Sequence, residues 1–284
     1  MCATCGCGKV DEADAAAGTR ISKPGAMPHE HLHEPGHGHG HQHEHEHEHE
    51  AHGHAHAHDD AHAHQPAGTE TITLEQKILA KNDLLAASNR AWLDERGVMA
   101  FNLMSSPGSG KTTLLERTIR DLSDTGPISV IEGDQETLLD AERIKATGSA
   151  VVQVNTGSGC HLDAEMMRGA LDALSPANES LVFVENVGNL VCPALFDLGE
   201  QGKVVLISVT EGDDKPLKYP HIFAVADLVI VNKIDLLPYV AFDPAVCERN
   251  ARAVNPGVHV VNLSATSGEG LDRWYRWIAE RRLG

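Results

Sequence analysis

Ser105-Ser106-Pro107-Gly108-Ser109-Gly110-Lys111-Thr112 follows the apolar run from Val98 to Met104 and opens a segment with helical spacing. A glycine-rich turn between a buried strand and a helix, closed by Lys and a hydroxyl residue, is where backbone N–H groups wrap phosphates. Lys111 stands where it can neutralise β/γ oxygens, and the Thr112 hydroxyl where it can hold Mg²⁺. Gly108, Ser109, Gly110 and Thr113 complete the expected cradle. The first position departs from the usual pattern, carrying Ser105 in place of Gly. An ordinary strand-to-helix turn would not call for Lys111 and Thr112 in this register.

Outward from that loop, apolar runs that fit buried strands recur at 98–104, 128–132, 150–154, 181–185, 203–209, 228–232 and 258–263. Segments with helical character lie between most of them, at 112–122, 138–146, 163–174, 244–254 and 271–281, and a further helix is expected over 72–96. Alternating strands and helices predict an α/β fold, a mostly parallel sheet covered by helices on both faces. Ligands of such sheets gather at the carboxyl ends of the strands, where most of the motifs below also fall.

The chain divides unevenly. Residues 1–17 carry Cys2, Cys5 and Cys7 among glycines, residues 18–70 are low-complexity with 16 histidines between His29 and His64, and residues 71–284 hold nearly all the large apolar side chains. Only the last part can bury a core, so the second reads as a disordered linker. Lys plus Arg against Asp plus Glu is 3 to 12 over the first 70 residues and 20 to 29 over the rest, a net −9 in each part. Such acidity argues against a nucleic-acid partner, which calls for basic patches. No signal-like segment and no run of membrane-spanning length is present, so a cytoplasmic protein with no membrane partner is expected. In a reducing compartment clustered thiols are metal ligands or redox groups more often than disulfides.

Asn232-Lys233-Ile234-Asp235 follows an apolar run and matches N-x-x-D-type guanine readers of the form N-K-x-D. The Asp235 carboxylate can accept from N1–H and the 2-amino group of guanine, donors that adenine lacks there. Ser264-Ala265, after the last strand, is placed to support the ring. Together with the phosphate loop these residues predict GTP. The usual D-x-x-G is absent; Glu185-Asn186-Val187-Gly188 stands at a strand end instead, with Glu185 expected to orient the Mg²⁺ shell or the attacking water and Gly188 to meet the γ-phosphate. Asp134 is a second strand-end carboxylate for Mg²⁺ or its waters; a capping or solvated turn role is the competing reading for both acids. No catalytic Gln or arginine finger is legible, which predicts slow intrinsic turnover.

Cys160-His161 and Cys192 lie on loops near these motifs, and thiolate with imidazole suits Zn²⁺ or Ni²⁺ far better than Mg²⁺. Three ligands leave a site incomplete, to be finished by water or a second subunit; small buried thiols and a capping His are the bland alternative. Cys247, without a ligand neighbour, reads as packing. Cys2, Cys5 and Cys7 fall within six residues and can converge on one soft metal, since the strand-to-helix context of a redox C-x-x-C is missing. The His tract reads as a weak reservoir of late first-row ions.

These residues resemble the hydrogenase nickel-incorporation GTPase family, HypB, over 71–284 and in the N-terminal Cys2-x-x-Cys5-Gly6-Cys7 signature. The phosphate loop, Glu185-Asn186-Val187-Gly188-Asn189-Leu190-Val191-Cys192-Pro193 and Lys215-Pro216-Leu217-Lys218-Tyr219-Pro220 carry the likeness. The resemblance implies a P-loop GTPase fold and a GTP-favoured homodimer. It also implies a metal site of Cys160, His161 and Cys192 at the dimer interface, a high-affinity nickel site of Cys2, Cys5 and Cys7, and partners in a HypA-type nickel chaperone and the hydrogenase large subunit. A urease-accessory GTPase would carry Cys-Pro-His, whereas Ala194 follows Cys192-Pro193 here. A nickel-storage protein would not need Lys111, Thr112 and Asp235 intact.

Overall fold

Each run of alternating burial sends one set of side chains to each face of a sheet, and the computed structural model, which describes residues 20–22, 67–134, 139–157 and 159–283, is organised by that alternation. In chain order the principal elements are β1 (Arg20–Ser22), α1 (Ala67–Glu95), β2 (Met99–Ser105), α2 (Lys111–Leu122), β3 (Ile128–Asp134), α3 (Leu139–Lys145), β4 (Ala150–Asn155), α4 (Ala164–Leu174) and β5 (Leu181–Gly188). There follow β6 (Gly202–Ser208), α5 (Lys215–Lys218), α6 (Pro220–Ala224), β7 (Leu228–Asn232), α7 (Pro244–Val254), β8 (His259–Asn262) and α8 (Leu271–Leu283). The strands form one sheet in the order β1-β4-β3-β5-β2-β6-β7-β8. Seven are parallel, as the strand and helix alternation predicts. Among the described residues no helix is long and apolar enough to cross a membrane.

On one face Phe101, Leu103, Phe183 and Leu206 pack under α2 and α8, against Leu114, Leu115, Trp274 and Trp277. Residues one position along, Ala100, Val182 and Val184, face the other way and meet Leu93 of α1 and Met167 and Leu171 of α4. A third cluster joins Met104, Val205 and Ile207 to Phe223 of α6 and Cys247 of α7. Trp274 is fully buried and its indole N–H donates to Thr118 Oγ1 at 2.9 Å, so this side chain leaves no polar atom orphaned.

α1 reaches across the sheet to a turn before β6. Asn89 Nδ2 donates to Ala164 O (2.8 Å) and Leu198 O (3.0 Å), and Arg90 grips both carboxylate oxygens of Asp197 (2.8 and 2.9 Å). Gly199 permits that contact: its φ is +92°, and a Cβ there would stand 2.5 Å from Ala86 O.

Two features differ from the sequence expectation. Within the tract read as linker, Arg20–Ser22 pairs antiparallel with Asn155–Gln153, adding an eighth strand at the sheet edge. The helix read over 72–96 begins at Ala67 and ends at Glu95. The short helices α5 and α6, within residues 215–224, carry too few residues to have a legible period. Cys2, Cys5, Cys7 and the His tract lie outside the described residues.

Candidate functional site

The phosphate loop leaves β2 and turns into α2 at the carboxyl edge of the sheet. Two glycines take the left-handed conformation, Gly108 at φ +72° and Gly110 at φ +95°, which turns the backbone tightly enough to aim successive N–H groups inward. Gly110 is doubly constrained, because a Cβ would stand 2.6 Å from Asn232 Nδ2. The cleft so formed has a volume of about 460 Å³ and is lined by Ser106 to Thr113, Glu132 to Asp134, Asp140, Arg143, Glu185, Asn186, Gly188 and Lys233.

The N-K-x-D segment is fastened to that loop. Asn232 Nδ2 donates to Ser109 O (2.8 Å), Asn232 Oδ1 accepts from Ala265 N–H (3.0 Å), and Lys233 Nζ donates to Gly108 O (2.6 Å). Asn232, Ser264 and Ala265 are buried and act as a scaffold here, while Asp235 stands exposed beside the cleft, its carboxylate open to a ligand from solvent. Gly188 touches the other side of the loop, where a Cβ would lie 3.3 Å from Pro107 Cα.

Glu185, at 2% exposure, holds the key basic and hydroxyl groups: its Oε1 accepts from Lys111 Nζ (3.1 Å) and Thr112 Oγ1 (2.7 Å). Its Oε2 is buried without a partner among the described residues, as is Glu132 Oε2. Burial, with Glu185, Asp134 and Asp140 adding like charge, pushes the Glu132 carboxyl up to about 9. Hard oxygens crowded around a lysine and a threonine hydroxyl, two of them unpartnered, fit a small divalent cation such as Mg²⁺. Asp134 ends β3 half-buried on the same wall.

Sequence reasoning passed over Glu132 because it read as part of a strand; an acid at an inward position of a buried parallel strand was the available signal. It passed over Arg143 as well. On α3, Arg143 lines the cleft and donates to Thr113 Oγ1 (3.2 Å), Glu116 (2.9 Å) and Asp140 (3.1 Å), a placement that only tertiary packing creates.

Cys160, His161 and Cys192 come together on the neighbouring loops, with one candidate donor atom from each lying within 4.8 Å of the others. Cys160 Sγ is 2.8 Å from Cys192 Sγ and 3.7 Å from His161 Nδ1. His161 stacks on Phe196 with ring centroids 4.0 Å apart, and burial lowers its pKa, so the imidazole is neutral with a lone pair to give. Asp163 caps α4, accepting from Met166 N–H (2.8 Å), which ends the loop two residues after His161. Cys247 is fully buried away from this cluster, its thiol pushed up to about 12 by burial, consistent with packing.

The two sites share their framework. Thr156 N–H donates to Asp134 O (3.0 Å) where the metal loop begins, and Leu162, where it ends, packs so closely on Gly133 that a Cβ there would lie 2.9 Å from Leu162 Cδ1. Asn189 Nδ2 reaches Cys160 O at 3.4 Å.

The sequence profile of the CobW/HypB/UreG nucleotide-binding domain matches residues 99–262. The hydrogenase maturation factor HypB of Rhizobium leguminosarum bv. viciae is 57% identical over 207 residues, which cover 73% of this chain and 69% of that one. This chain belongs to the HypB family. Two solved HypB structures agree in fold, each with a TM-score of 0.67. That from Archaeoglobus fulgidus is 40% identical, covering 72% of this chain and 99% of that one. The other, HypB from Helicobacter pylori in complex with nickel, is 38% identical, covering 71% and 95%. The HypB nucleotide-binding domain therefore accounts for the cleft, the strand ends around it and the sheet that carries them.

Proposed function

We propose that this HypB chain is a GTP-hydrolysing nickel metallochaperone, which binds nickel as cargo and releases it under nucleotide control during hydrogenase maturation. The observation that carries the reading is that the phosphate cleft, on the carboxyl ends of β2, β3 and β5, and the Cys160, His161 and Cys192 cluster, on the loops after β4 and β5, lie side by side at one edge of the sheet and share β5. The nickel complex of the Helicobacter pylori relative adds support.

The loop N–H groups and Lys111 bind the phosphates, and Asp235 selects guanine. Thr112, Glu185 and Asp134 would hold Mg²⁺, which when bound neutralises charge developing between the β- and γ-phosphates. Binding of a triphosphate would draw Lys111 and Thr112 away from Glu185, leaving that carboxylate for the Mg²⁺ shell. The thiolates and neutral imidazole bind nickel or zinc, and a second copy of the chain in a GTP-favoured homodimer completes the coordination. Cys2, Cys5 and Cys7 form the separate nickel site. Release then passes the ion toward a HypA-type chaperone and the hydrogenase large subunit, in the cytoplasm.

The test is to measure nickel affinity with GDP and with a non-hydrolysable GTP analogue, alongside GTP and ATP turnover. GTP is hydrolysed in preference to ATP, and nickel affinity differs between the two nucleotide states. Linkage demands that nickel shift nucleotide affinity by the same factor. Equal nickel affinities in both states defeat the reading.

A further inference from the structure

Consecutive residues of a strand point to opposite faces, and at the end of β5 that rule separates two jobs. Glu185 faces α2 and is held by Lys111 and Thr112. Asn186 faces the opposite layer, on the side of Val184 and Leu162. The ladder between β2 and β5 slips here: Leu103 pairs with Glu185 but Ser105 pairs with Gly188, so two residues, Asn186 and Val187, stand opposite Met104 alone. A bulge of this kind frees a backbone N–H and re-aims a side chain.

The freed group is taken by the side chain itself. Asn186 Oδ1 accepts from Val187 N–H at 2.9 Å and from Leu162 N–H at 3.2 Å, while Asn186 Nδ2 donates to Asn102 Oδ1 at 3.2 Å. Asn186 is 1% exposed, and Leu162 directly follows His161. One buried amide thus joins the strand carrying the phosphate loop, the residue after Glu185 and the end of the metal loop. Behind it Asn102 Nδ2 donates to Glu200 Oε1 at 3.1 Å, anchoring the assembly to the sheet.

We infer that Asn186 is the positioning residue through which nucleotide occupancy sets the geometry of Cys160 and His161. When Lys111 and Thr112 leave Glu185 for phosphate and metal, the bulged strand end moves, and Asn186 carries that movement to the Leu162 amide on the opposite face. Of the other links between the sites, the Thr156 N–H reaches only the backbone of Asp134, the Leu162 contact with Gly133 is packing, and the Asn189 Nδ2 bond to Cys160 O, at 3.4 Å, is long and single, whereas Asn186 makes three bonds from a fully buried position. The inference rests on the proposed coupling of nucleotide to metal and names the residue that transmits it.

The experiment uses the full chain, with nickel as the probe and chelator competition as the readout, in GDP and in a non-hydrolysable GTP analogue. The ratio of the two affinities is the coupling factor, typically about 5- to 150-fold where allostery operates. In Asn186→Ala it collapses to within about 2-fold of unity, while Asn186→Asp, which keeps the acceptor for both amides, retains most of it. Wild-type coupling that persists undiminished in Asn186→Ala overturns the assignment. A wild type without coupling defeats the functional reading instead, and the inference with it. Because the alanine variant orphans two buried amides, hydrogen exchange of the Leu162 amide in the wild type provides a second measure. Its protection changes about fivefold or more between nucleotide states, the change expected from loss of one hydrogen bond worth about 1 kcal/mol. Identical protection in both states overturns the assignment whatever the variants do.

Discussion

Replacing Glu132 by Gln removes a buried acid that the folded, nucleotide-free protein keeps protonated. The carboxyl is 3% exposed and is pushed from an ordinary 4.5 up to about 9, chiefly by burial and then by Glu185. A raised folded pKa means that the unfolded chain gives up its proton first, so stability falls as pH rises from 4.5 toward 9. From 4.5 to pH 7 is about 2.5 pH units, and at about 1.36 kcal/mol per unit this amounts to about 3 kcal/mol lost by the wild type. At pH 5 the same reckoning gives less than ~1 kcal/mol. Glu132→Gln is isosteric and does not titrate, so the variant escapes the loss. Urea denaturation of nucleotide-free protein at pH 5, 7 and 8 is the assay. The variant gains on the wild type as pH rises, approaching about 3 kcal/mol at pH 7. Two parallel pH profiles would refute the argument, because they would mean that Glu132 ionises in the folded state as readily as in the unfolded one.

Gly110→Ala forces a Cβ onto a left-handed residue and 2.6 Å from Asn232 Nδ2; with strain of about 1–2 kcal/mol and the Asn232 brace disturbed, affinity for GDP measured by calorimetry drops at least ~10-fold. Cys192→Ser substitutes a hard, weakly acidic hydroxyl for a soft thiolate, and competition with a chelator registers a loss of about 100-fold in zinc or nickel affinity at the described cluster. Unchanged affinity would remove Cys192 from the ligand set. Trp274→Ala empties the space against Phe183 and Trp277 and strips Thr118 of its indole donor, lowering stability by about 3–5 kcal/mol in thermal or denaturant unfolding.

The fold was legible because its parallel strands are buried on both faces and so read as uninterrupted apolar runs. Leu228–Asn232 and Pro244–Val254 were read to the residue, and β2 is displaced by one position, to Met99–Ser105. The runs faltered at β3 and β5 because both strands continue past their apolar residues into Gly133-Asp134 and Asn186-Val187-Gly188, where ladder bonds outlast hydrophobicity. Arg20–Ser22 was missed for a related reason: three polar-flanked residues have no period, and only the open edge of β4 recruits them. At the site, short sequence patterns located Lys111, Thr112, Glu185 and the Cys160-His161 pair. Asn102, Glu132 and Arg143 belong to no such pattern, and Asn186, though inside Glu185-Asn186-Val187-Gly188, had no role that the pattern alone assigns. Their positions are significant because of what stands across from them, and sequence spacing within one segment does not encode that.

The antiparallel strand at Arg20–Ser22 has a consequence for self-association. It covers the outer edge of β4 from Gln153 to Asn155, and Ile21 fits over Gly169, where any Cβ would fall 2.6 Å from Ile21 Cδ1. A chain beginning at Ala67 would lay bare both that row of backbone donors and acceptors and the apolar seat beside it. Exposed strand edges of this kind template pairing with further chains. The isolated nucleotide-binding domain would then stick to itself through β4, and dimers seen in such a truncated chain would report on a missing strand as readily as on bound GTP.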